Sequence, residues 1–140
     1  MREIIFKAWD TKKKVMHTSF SSDLLISLNG LLVQHSGMNG LMDEYENCVL
    51  LQFTGFLDKN GIKIFEGDII QEDCMDTEKG TKLVSYVKFD DGGFQTDDGE
   101  FLVNAIQSFT VKVETDQTSA EVLGNIYQHK DLVKKYKLKV

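Results

Sequence analysis

Apolar residues alternate with polar residues at a period of two along several short segments of the chain. The clearest segments are residues 49–54, 83–89 and 109–114, and residues 4–9 and 122–127 behave similarly. Because successive side chains of a strand point to opposite faces of a sheet, each segment is typical of a half-buried β-strand. The alternation therefore predicts a mainly β fold.

The chain contains no proline, so its turns depend on its 11 glycines and on Asn and Asp. Asn60-Gly61 supplies the positive φ angles of a tight hairpin turn, and Asp58 is placed to cap that turn through its side chain. Residues 90–93 (Asp-Asp-Gly-Gly) and 97–99 (Asp-Asp-Gly) predict two further reversals. Short connections of this kind favour an antiparallel sheet.

Helical signals are confined to the end of the chain. In residues 131–137, Leu132 and Tyr136 share a face, Asp131 lies at the amino end and lysines lie toward the carboxyl end. Residues 22–28 are compatible with either a short helix or a strand. With 140 residues, the chain is predicted to form a single domain over residues 1–140, a small, partly open antiparallel barrel with a short C-terminal helix.

The expected compartment is the cytoplasm in which the protein is made. The apolar residues near the start of the chain end at Phe6, before Lys7, which leaves no apolar core long enough for a signal peptide. No segment approaches the roughly 20 apolar residues of a membrane helix. We therefore expect no membrane contact. Cys48 and Cys74 match no metal or redox motif, so two free thiols are expected, with Cys48 in the core.

Charge is unevenly distributed along the chain. Residues 43–121 hold 18 acidic and six basic residues, a net charge of −12, within a chain of net charge −6. Basic residues cluster at residues 12–14 and in a C-terminal tail that contains Lys130, Lys134, Lys135, Lys137 and Lys139. Because affinity for nucleic acid depends on a basic face, the acidic centre makes nucleic acid an unfavourable partner except through this lysine-rich tail.

Two groups of acidic residues are candidates for a divalent-cation site. The first comprises Asp90, Asp91, Asp97, Asp98 and Glu100. The spacing of an EF-hand fails there, because the first ligand position would fall on Val87 or Phe94. A looser calcium or magnesium site at these loops stays open as an alternative to exposed turn carboxylates.

The second acidic group comprises Glu66, Asp68, Glu72, Asp73, Asp76 and Glu78. Glu66, Asp68 and Glu72 differ by even steps, so a strand would place them on one face. In the active sites of metal-dependent nucleases, a Lys or His usually accompanies such acidic residues. The three histidines, His17, His35 and His129, lie at no ligand spacing, and each is interpreted as a surface or capping residue.

No nucleophile or phosphate-binding motif is present. The serines at 19, 21, 22 and 36 lack the glycine-flanked elbow of hydrolases, and residues 37–40 (Gly-Met-Asn-Gly) lack the lysine of a phosphate-binding loop. We therefore expect that the protein is not an enzyme. No catalytic, cofactor-binding or metal-binding residue is assigned.

The phenylalanines suggest a surface for contact with another protein. In residues 83–89, Leu83, Val87 and Phe89 alternate with Val84, Tyr86 and Lys88. Most of the phenylalanines, Phe89 among them, are assigned to the core, whereas Phe56 and Phe94 lie next to turns and are expected to be partly exposed. Aromatic side chains beside acidic loops suit a protein partner. Single-stranded nucleic acid is instead bound by aromatic residues within a basic groove.

Residues 52–70, QFTGFLDKNGIKIFEGDII, resemble the central block of the YopX family of phage and prophage proteins. Residues 6–10 and 14–16 are similar to that family's start, and residues 87–89, 93–94 and 122–127 to its later blocks. The resemblance implies a mainly β fold, similar to a partly open SH3-like barrel, in a bacterial or phage setting. It implies no reaction, because the family is a domain of unknown function.

One departure concerns the last helix. The family usually begins that helix with Asn-Pro-Glu-Leu, whereas residues 129–132 here are His-Lys-Asp-Leu. The missing proline leaves the geometry of the helix start open, while the helix itself is still expected.

Together these observations predict a non-enzymatic protein-interaction module, whose partner is an unidentified host or phage protein. One alternative is a nucleic-acid-associated accessory protein of phage replication or transcription that uses the lysine-rich tail. Another is an acidic DNA-mimic inhibitor of a host protein. A third is a metal-dependent hydrolase built on Glu66 and Asp68 or on Asp97 and Asp98. An exposed edge strand would also allow a homo-oligomer.

Overall fold

The computed structural model describes residues 3–18, 24–27, 30–35, 42–73, 82–98 and 118–140. They form antiparallel β-strands and one short helix, which confirms the predicted mainly β fold class with a C-terminal helix. The chain divides into two compact units. We call residues 5–51 the small unit, and residues 1–4 with 52–140 the large unit.

Within its described residues the small unit contains five complete strands: β1 (Phe6–Asp10), β2 (Val15–His17), β3 (Leu24–Ile26), β4 (Leu32–His35) and β5 (Met42–Glu44). β1 pairs with β2, with Trp9 opposite Met16, and β3, β4 and β5 form a three-stranded sheet. Of residues 22–28, which are compatible with helix or strand by sequence, residues 24–26 form a strand, and residues 22, 23 and 28 lie outside the described residues. β6 (Cys48–Leu57) begins beside β1, and the boundary between the units falls within it.

The core of the small unit is compact. Ala8 and Leu32 are buried, and four partly buried side chains pack against them: Ile26, Tyr45, Cys48 and Leu50. Cys48 thus lies where its apolar neighbours predict, at the edge of a core. Cys74 lies outside the described residues.

The large unit is built on a four-stranded antiparallel sheet. Its strands are β8 (Asp68–Asp73), β9 (Lys82–Asp90), β10 (Gly93–Thr96) and β11 (Glu121–Asn125), in the order β10-β9-β8-β11. The sheet curls in the manner of the partly open small barrel that the sequence predicts. The second half of β6 pairs with β7 (Lys63–Phe65). One cluster of its core consists of the fully buried residues Ile64, Ile70, Val87 and Ala120.

The predicted hairpin at Asn60-Gly61 is confirmed. β6 ends at Leu57, β7 begins at Lys63, and Gly61 has a φ of 81°. The Oδ1 atom of Asp58 accepts hydrogen bonds from the backbone N–H groups of Asn60 (2.7 Å) and Ile62 (2.8 Å). The side chain of Asp58 therefore caps the turn, as its position in the sequence predicts.

The reversal predicted at residues 90–93 is also confirmed, since it joins β9 to β10. Asp91 and Gly92 have φ angles of 46° and 80°, the pair of positive values that a tight hairpin requires. Of the reversal predicted at residues 97–99, Gly99 lies outside the described residues, as does the strand predicted at residues 109–114.

The predicted C-terminal helix is present as α1 (Lys130–Tyr136), one residue earlier than expected at each end. His129 precedes the helix and makes no side-chain capping hydrogen bond to it. Its Nδ1 instead accepts a hydrogen bond from the backbone N–H of Asn125 (3.1 Å). The imidazole closely covers Gly124, where a Cβ atom would lie 2.7 Å from Nδ1. His129 therefore joins the residue before the helix to the end of β11. No helix in the described part of the chain is long and apolar enough to span a membrane.

Candidate functional site

Three of the acidic loop residues predicted as a possible cation site, Asp90, Asp97 and Asp98, accept hydrogen bonds from groups of the protein itself, and Glu100 lies outside the described residues. Asp90 accepts hydrogen bonds from the backbone N–H of Asp91 (3.0 Å) and from Lys88 Nζ (3.2 Å). The bond from Lys88, followed by that from the Asp91 amide, lowers the pKa of Asp90. Asp97 accepts from the backbone N–H of Tyr86 (3.3 Å), and Asp98 accepts from the Thr96 hydroxyl.

The second acidic group is likewise distributed over structural positions. Asp68 and Glu72 lie on β8 and are buried, whereas Glu66 lies in the turn before that strand. Only Asp68 and Glu72 therefore share a strand face, and the predicted alignment with Glu66 is wrong because the chain turns at Gly67. Asp76 and Glu78 lie outside the described residues.

Glu66 and Asp68 stabilise the turn that separates β7 from β8. Asp68 Oδ2 accepts a hydrogen bond from the backbone N–H of Phe65 (2.8 Å). Burial raises the pKa of Glu66, and the backbone amides of Gln52 and Phe89 lower it by less. Both carboxylates thus contribute to local structure. Within the described part of the chain, no three His, Cys, Asp or Glu side chains are grouped so that they could hold a metal ion.

The described histidines and cysteine lie on different elements of the chain. His17 lies on β2 and His129 precedes α1, while nothing is described of the side chain of His35. Cys48 is a free, partly buried thiol, and burial is the main cause that raises its pKa. A raised pKa keeps the sulfur protonated and weakly nucleophilic at neutral pH.

The partial exposure predicted for Phe56 and Phe94 is confirmed. Both are partly buried and pack against the core of the large unit. Phe89 does not lie in the core, where most of the phenylalanines are predicted, since it is 52% exposed; on the same strand Val87 is buried and Leu83 is 47% exposed. The pairing of β8 with β9 starts at Ile69 opposite Tyr86, so Phe89 lies beyond it, where β9 pairs with β10.

Phe89 therefore forms an exposed aromatic surface at the tip of the β9–β10 hairpin. Its ring packs edge-to-face against Phe94, with ring centroids 5.2 Å apart, in the geometry that aromatic pairs favour. Asp90 and Asp91 are exposed in the adjoining turn. We call Phe89, Asp90, Asp91 and Phe94 the aromatic hairpin. It combines a partly fixed apolar ring with negative charge, a composition suited to contact with another protein.

The lysine-rich tail is held at both ends of its helix. The five lysines of the tail are exposed, and Asp131 is their acidic neighbour on α1. The Tyr86 hydroxyl donates a hydrogen bond to the carbonyl oxygen of Lys139 (2.9 Å), which ties the last residues to β9. The tail therefore presents its positive charges from an ordered segment.

A network in the small unit was not recognised from the sequence. Lys13 Nζ donates a hydrogen bond to the Tyr45 hydroxyl (2.8 Å), and that hydroxyl donates to Asp10 Oδ2 (2.7 Å). Asp10 Oδ1 accepts from the backbone N–H groups of Lys12 and Lys13. The sequence signal for the turn is an Asp followed by polar residues, but the contact with Tyr45, 35 positions away, has no local signature.

Comparison with known proteins places the chain among related sequences and folds. The model of the YopX protein family matches residues 5–134. A crystal structure of protein EF1440 from Enterococcus faecalis is similar, with a TM-score of 0.56 and 24% identity over 95% of this chain and 99% of that chain. A crystal structure of protein yopX from Bacillus subtilis has the same TM-score and identity, over 94% and 98% of the two chains. No curated protein matches the sequence.

Proposed function

We propose that this chain, which belongs to the YopX protein family, is a non-enzymatic protein-interaction module. We place it in a phage or prophage setting and in the cytoplasm of the bacterial host, with a host or phage protein as its partner. The observation that carries the proposal is the exposed ring of Phe89 at the aromatic hairpin. Partly exposed aromatic residues supply much of the binding energy at protein interfaces.

The position of Phe89 favours a protein as the partner. The ring is 52% exposed, and its edge-to-face contact with Phe94 limits its motion. An aromatic group that is already ordered loses little conformational entropy when it is buried by a partner. Asp90 and Asp91 beside it would repel the phosphates of a nucleic acid, whereas they complement a basic rim on a protein.

The test compares two exposed apolar residues of β9. Tagged wild-type chain, Phe89→Ser and Leu83→Ser are used to capture proteins from a bacterial host lysate, with and without nuclease, and the captured proteins are identified by mass spectrometry. We expect a partner that is retained after nuclease treatment by the wild type and by Leu83→Ser but lost with Phe89→Ser. Equal capture by all three chains, or capture that depends on nucleic acid, would refute the proposal.

A second candidate function rests on the ordered lysine-rich tail. Five exposed lysines within residues 130–139 form a basic segment that could contact phosphates in an accessory role in phage replication or transcription. A Lys134→Glu/Lys135→Glu chain should then lose retention on single- or double-stranded DNA at low salt. Unchanged retention would exclude the tail as the contacting element.

A further inference from the structure

An open groove of about 530 Å³ lies in the small unit, and no residue of the aromatic hairpin lines it. It is lined by residues 30–32, between β3 and β4, and by residues 44–50, from the end of β5 into β6. A volume of this size is in the range of ligand sites, roughly 300–1,000 Å³. The groove is open to solvent along its length, however, and so suits a segment of chain better than an enclosed small molecule.

The floor of the groove is apolar. Leu32 is buried, and Cys48 and Leu50 pack against it from β6. Leu31 and Val49 lie at the surface of the lining and remain 40% and 36% exposed. Burial of such side chains by a ligand is favourable by about 25 cal/mol for each Å² removed from water. The groove therefore offers an apolar anchor point.

One wall of the groove is held in place before any ligand binds. The backbone N–H of Tyr45 donates to the carbonyl oxygen of Leu32 (2.8 Å), which fixes residues 45–47 against β4. The Tyr45 hydroxyl is fixed by Lys13 and Asp10. Because these contacts order the wall in advance, a ligand loses less free energy to ordering when it binds.

The lining carries negative charge. Glu44 and Glu46 are both exposed, and the described lining residues include no lysine or arginine. The nearest lysine contact, that of Lys13 with Tyr45, lies beside Asp10, whose carboxylate is 3.8 Å from the Lys13 ammonium and offsets its charge. The thiol of Cys48 adds no charge at neutral pH. An apolar floor with an acidic rim complements a ligand that is apolar and positively charged.

We propose that this groove is a second binding site, which takes a basic peptide segment with an apolar anchor side chain from a partner protein. The apolar side chain packs on Leu31, Leu32 and Val49, and a flanking Lys or Arg pairs with Glu44 or Glu46. This site does not depend on the aromatic hairpin, so it can exist whether or not that surface binds a partner.

The test measures binding of labelled synthetic hexapeptides by fluorescence anisotropy with the full chain. The probe alternates Lys and Leu; its two counterparts alternate Glu with Leu, and Lys with Ser. We expect binding of the Lys-Leu peptide only, with an affinity that falls as salt rises. The Glu44→Lys chain should bind about five-fold more weakly, because one favourable charge pair becomes repulsive. Leu31→Ser should also weaken binding while leaving the charge unchanged.

Asp43→Lys provides the matched control, since Asp43 is an exposed neighbour of Glu44 on β5 and does not line the groove. The affinity of the Asp43→Lys chain for the Lys-Leu peptide should stay within about two-fold of that of the wild type. If Glu44→Lys lowers the thermal midpoint, Glu46→Lys replaces it. Equal loss with Asp43→Lys, equal binding of either counterpart peptide, or no binding of the Lys-Leu peptide overturns the proposal. So does a concentration-dependent dimer that Leu31→Ser abolishes, which would assign the groove to a second copy.

Discussion

Asp10 in the small unit and Asp58 in the large unit are two buried carboxylates with the same local task. Asp10 ends β1 and Asp58 directly follows β6, and each accepts hydrogen bonds from backbone N–H groups of the turn that begins there. Asp10 Oδ1 accepts from Lys12 (2.9 Å) and Lys13 (2.6 Å), and Asp58 Oδ1 accepts from Asn60 and Ile62. This is the side-chain-to-backbone pattern that makes Asp common in turns.

The two carboxylates differ in what their second oxygen holds. Asp58 Oδ2 accepts the backbone N–H of Val122 (3.2 Å), so it joins the hairpin turn to β11. Asp10 Oδ2 accepts the hydroxyl of Tyr45, a side chain at the rim of a solvent-filled groove. A carboxylate that joins two pieces of backbone mainly stabilises the fold, whereas one that orients a surface side chain also shapes a binding surface.

The largest effect should come from Asp58→Ala. The substitution leaves the N–H groups of Asn60, Ile62 and Val122 without their acceptor in a partly buried location, and such unpaired donors are unfavourable. We expect the free energy of unfolding in urea to fall by about 3 kcal/mol. Asp10→Ala should destabilise less, because Tyr45 and Lys13 can turn to water.

Asp58→Asn is the control for shape, since the amide keeps one acceptor oxygen. Its free energy of unfolding should lie between those of the wild type and Asp58→Ala. A loss for Asp10→Ala as large as that for Asp58→Ala would contradict the distinction between the two carboxylates.

A second measurement compares two glycines of the large unit that share a φ angle near 80° but differ in surroundings. Gly61, in the Asp58 turn, has open space around a would-be Cβ atom, whereas a Cβ at Gly67 would lie 2.7 Å from Tyr127 Cε2. Gly61→Ala should destabilise by about 1 kcal/mol from its backbone conformation alone. Gly67→Ala should lose about 2–3 kcal/mol, because the clash is added to that strain.

Thermal or urea unfolding of both glycine variants measures the difference directly. Tyr127→Leu in the Gly67→Ala background should recover part of the loss. Equal losses at the two glycines would mean that the surrounding structure can shift to accept the Cβ atom. The turn at Gly67 would then be less tightly packed than its distance to Tyr127 implies.

The smallest effect concerns the pH dependence of the small unit. The backbone N–H of Lys13, then the Tyr45 hydroxyl, lower the pKa of Asp10. Its ionised form therefore stabilises the fold above the unfolded pKa of about 3.9, and that contribution is lost as the pH falls through the lower folded pKa. The difference in unfolding midpoint between wild type and Asp10→Asn should be constant from about pH 5 to 8 and shrink below about pH 4.

The matched variant is Asp90→Asn. The pKa of Asp90 is also lowered, but this carboxylate is exposed and pairs with Lys88. Because solvent screens exposed pairs, its profile should follow the wild type closely. A larger acid-dependent change for Asp90→Asn than for Asp10→Asn would show that the Asp10 network adds nothing beyond an ordinary surface carboxylate.

Much of the fold follows from local patterns in the sequence. The alternation predicts β6, β9 and β11, the Asn60-Gly61 pair predicts the β6–β7 hairpin, and the Asp-Asp-Gly-Gly segment predicts the β9–β10 turn. Residues 131–137 predict α1 to within one residue at each end. The single domain over residues 1–140 and the SH3-like character of the fold stay predictions.

The candidate sites were less accessible to sequence reasoning. Period-two alternation assigns Phe89 to the same face as Val87, but it does not reveal that the pairing of β8 with β9 begins only at Ile69 and Tyr86, or that Phe89 is exposed. The even spacing of Glu66, Asp68 and Glu72 would place them on one face of a strand, whereas Glu66 lies in the turn before β8. Likewise, Tyr45, Leu31 and Val49 have no spacing that marks them as parts of one groove.

The sequence by itself determined several of the strands, including β6, β9 and β11, two of the chain reversals, and the aspartate, Asp58, that caps the first of these turns. These properties depend on φ preferences and side-chain alternation within a few residues. The tertiary structure alone decided that Asp10 meets Tyr45, that Asp58 meets Val122, and that Phe89 is exposed while Val87 is buried. Those outcomes depend on strand register and on which strands end first, and contacts between residues 35 or 64 positions apart leave no trace in local composition.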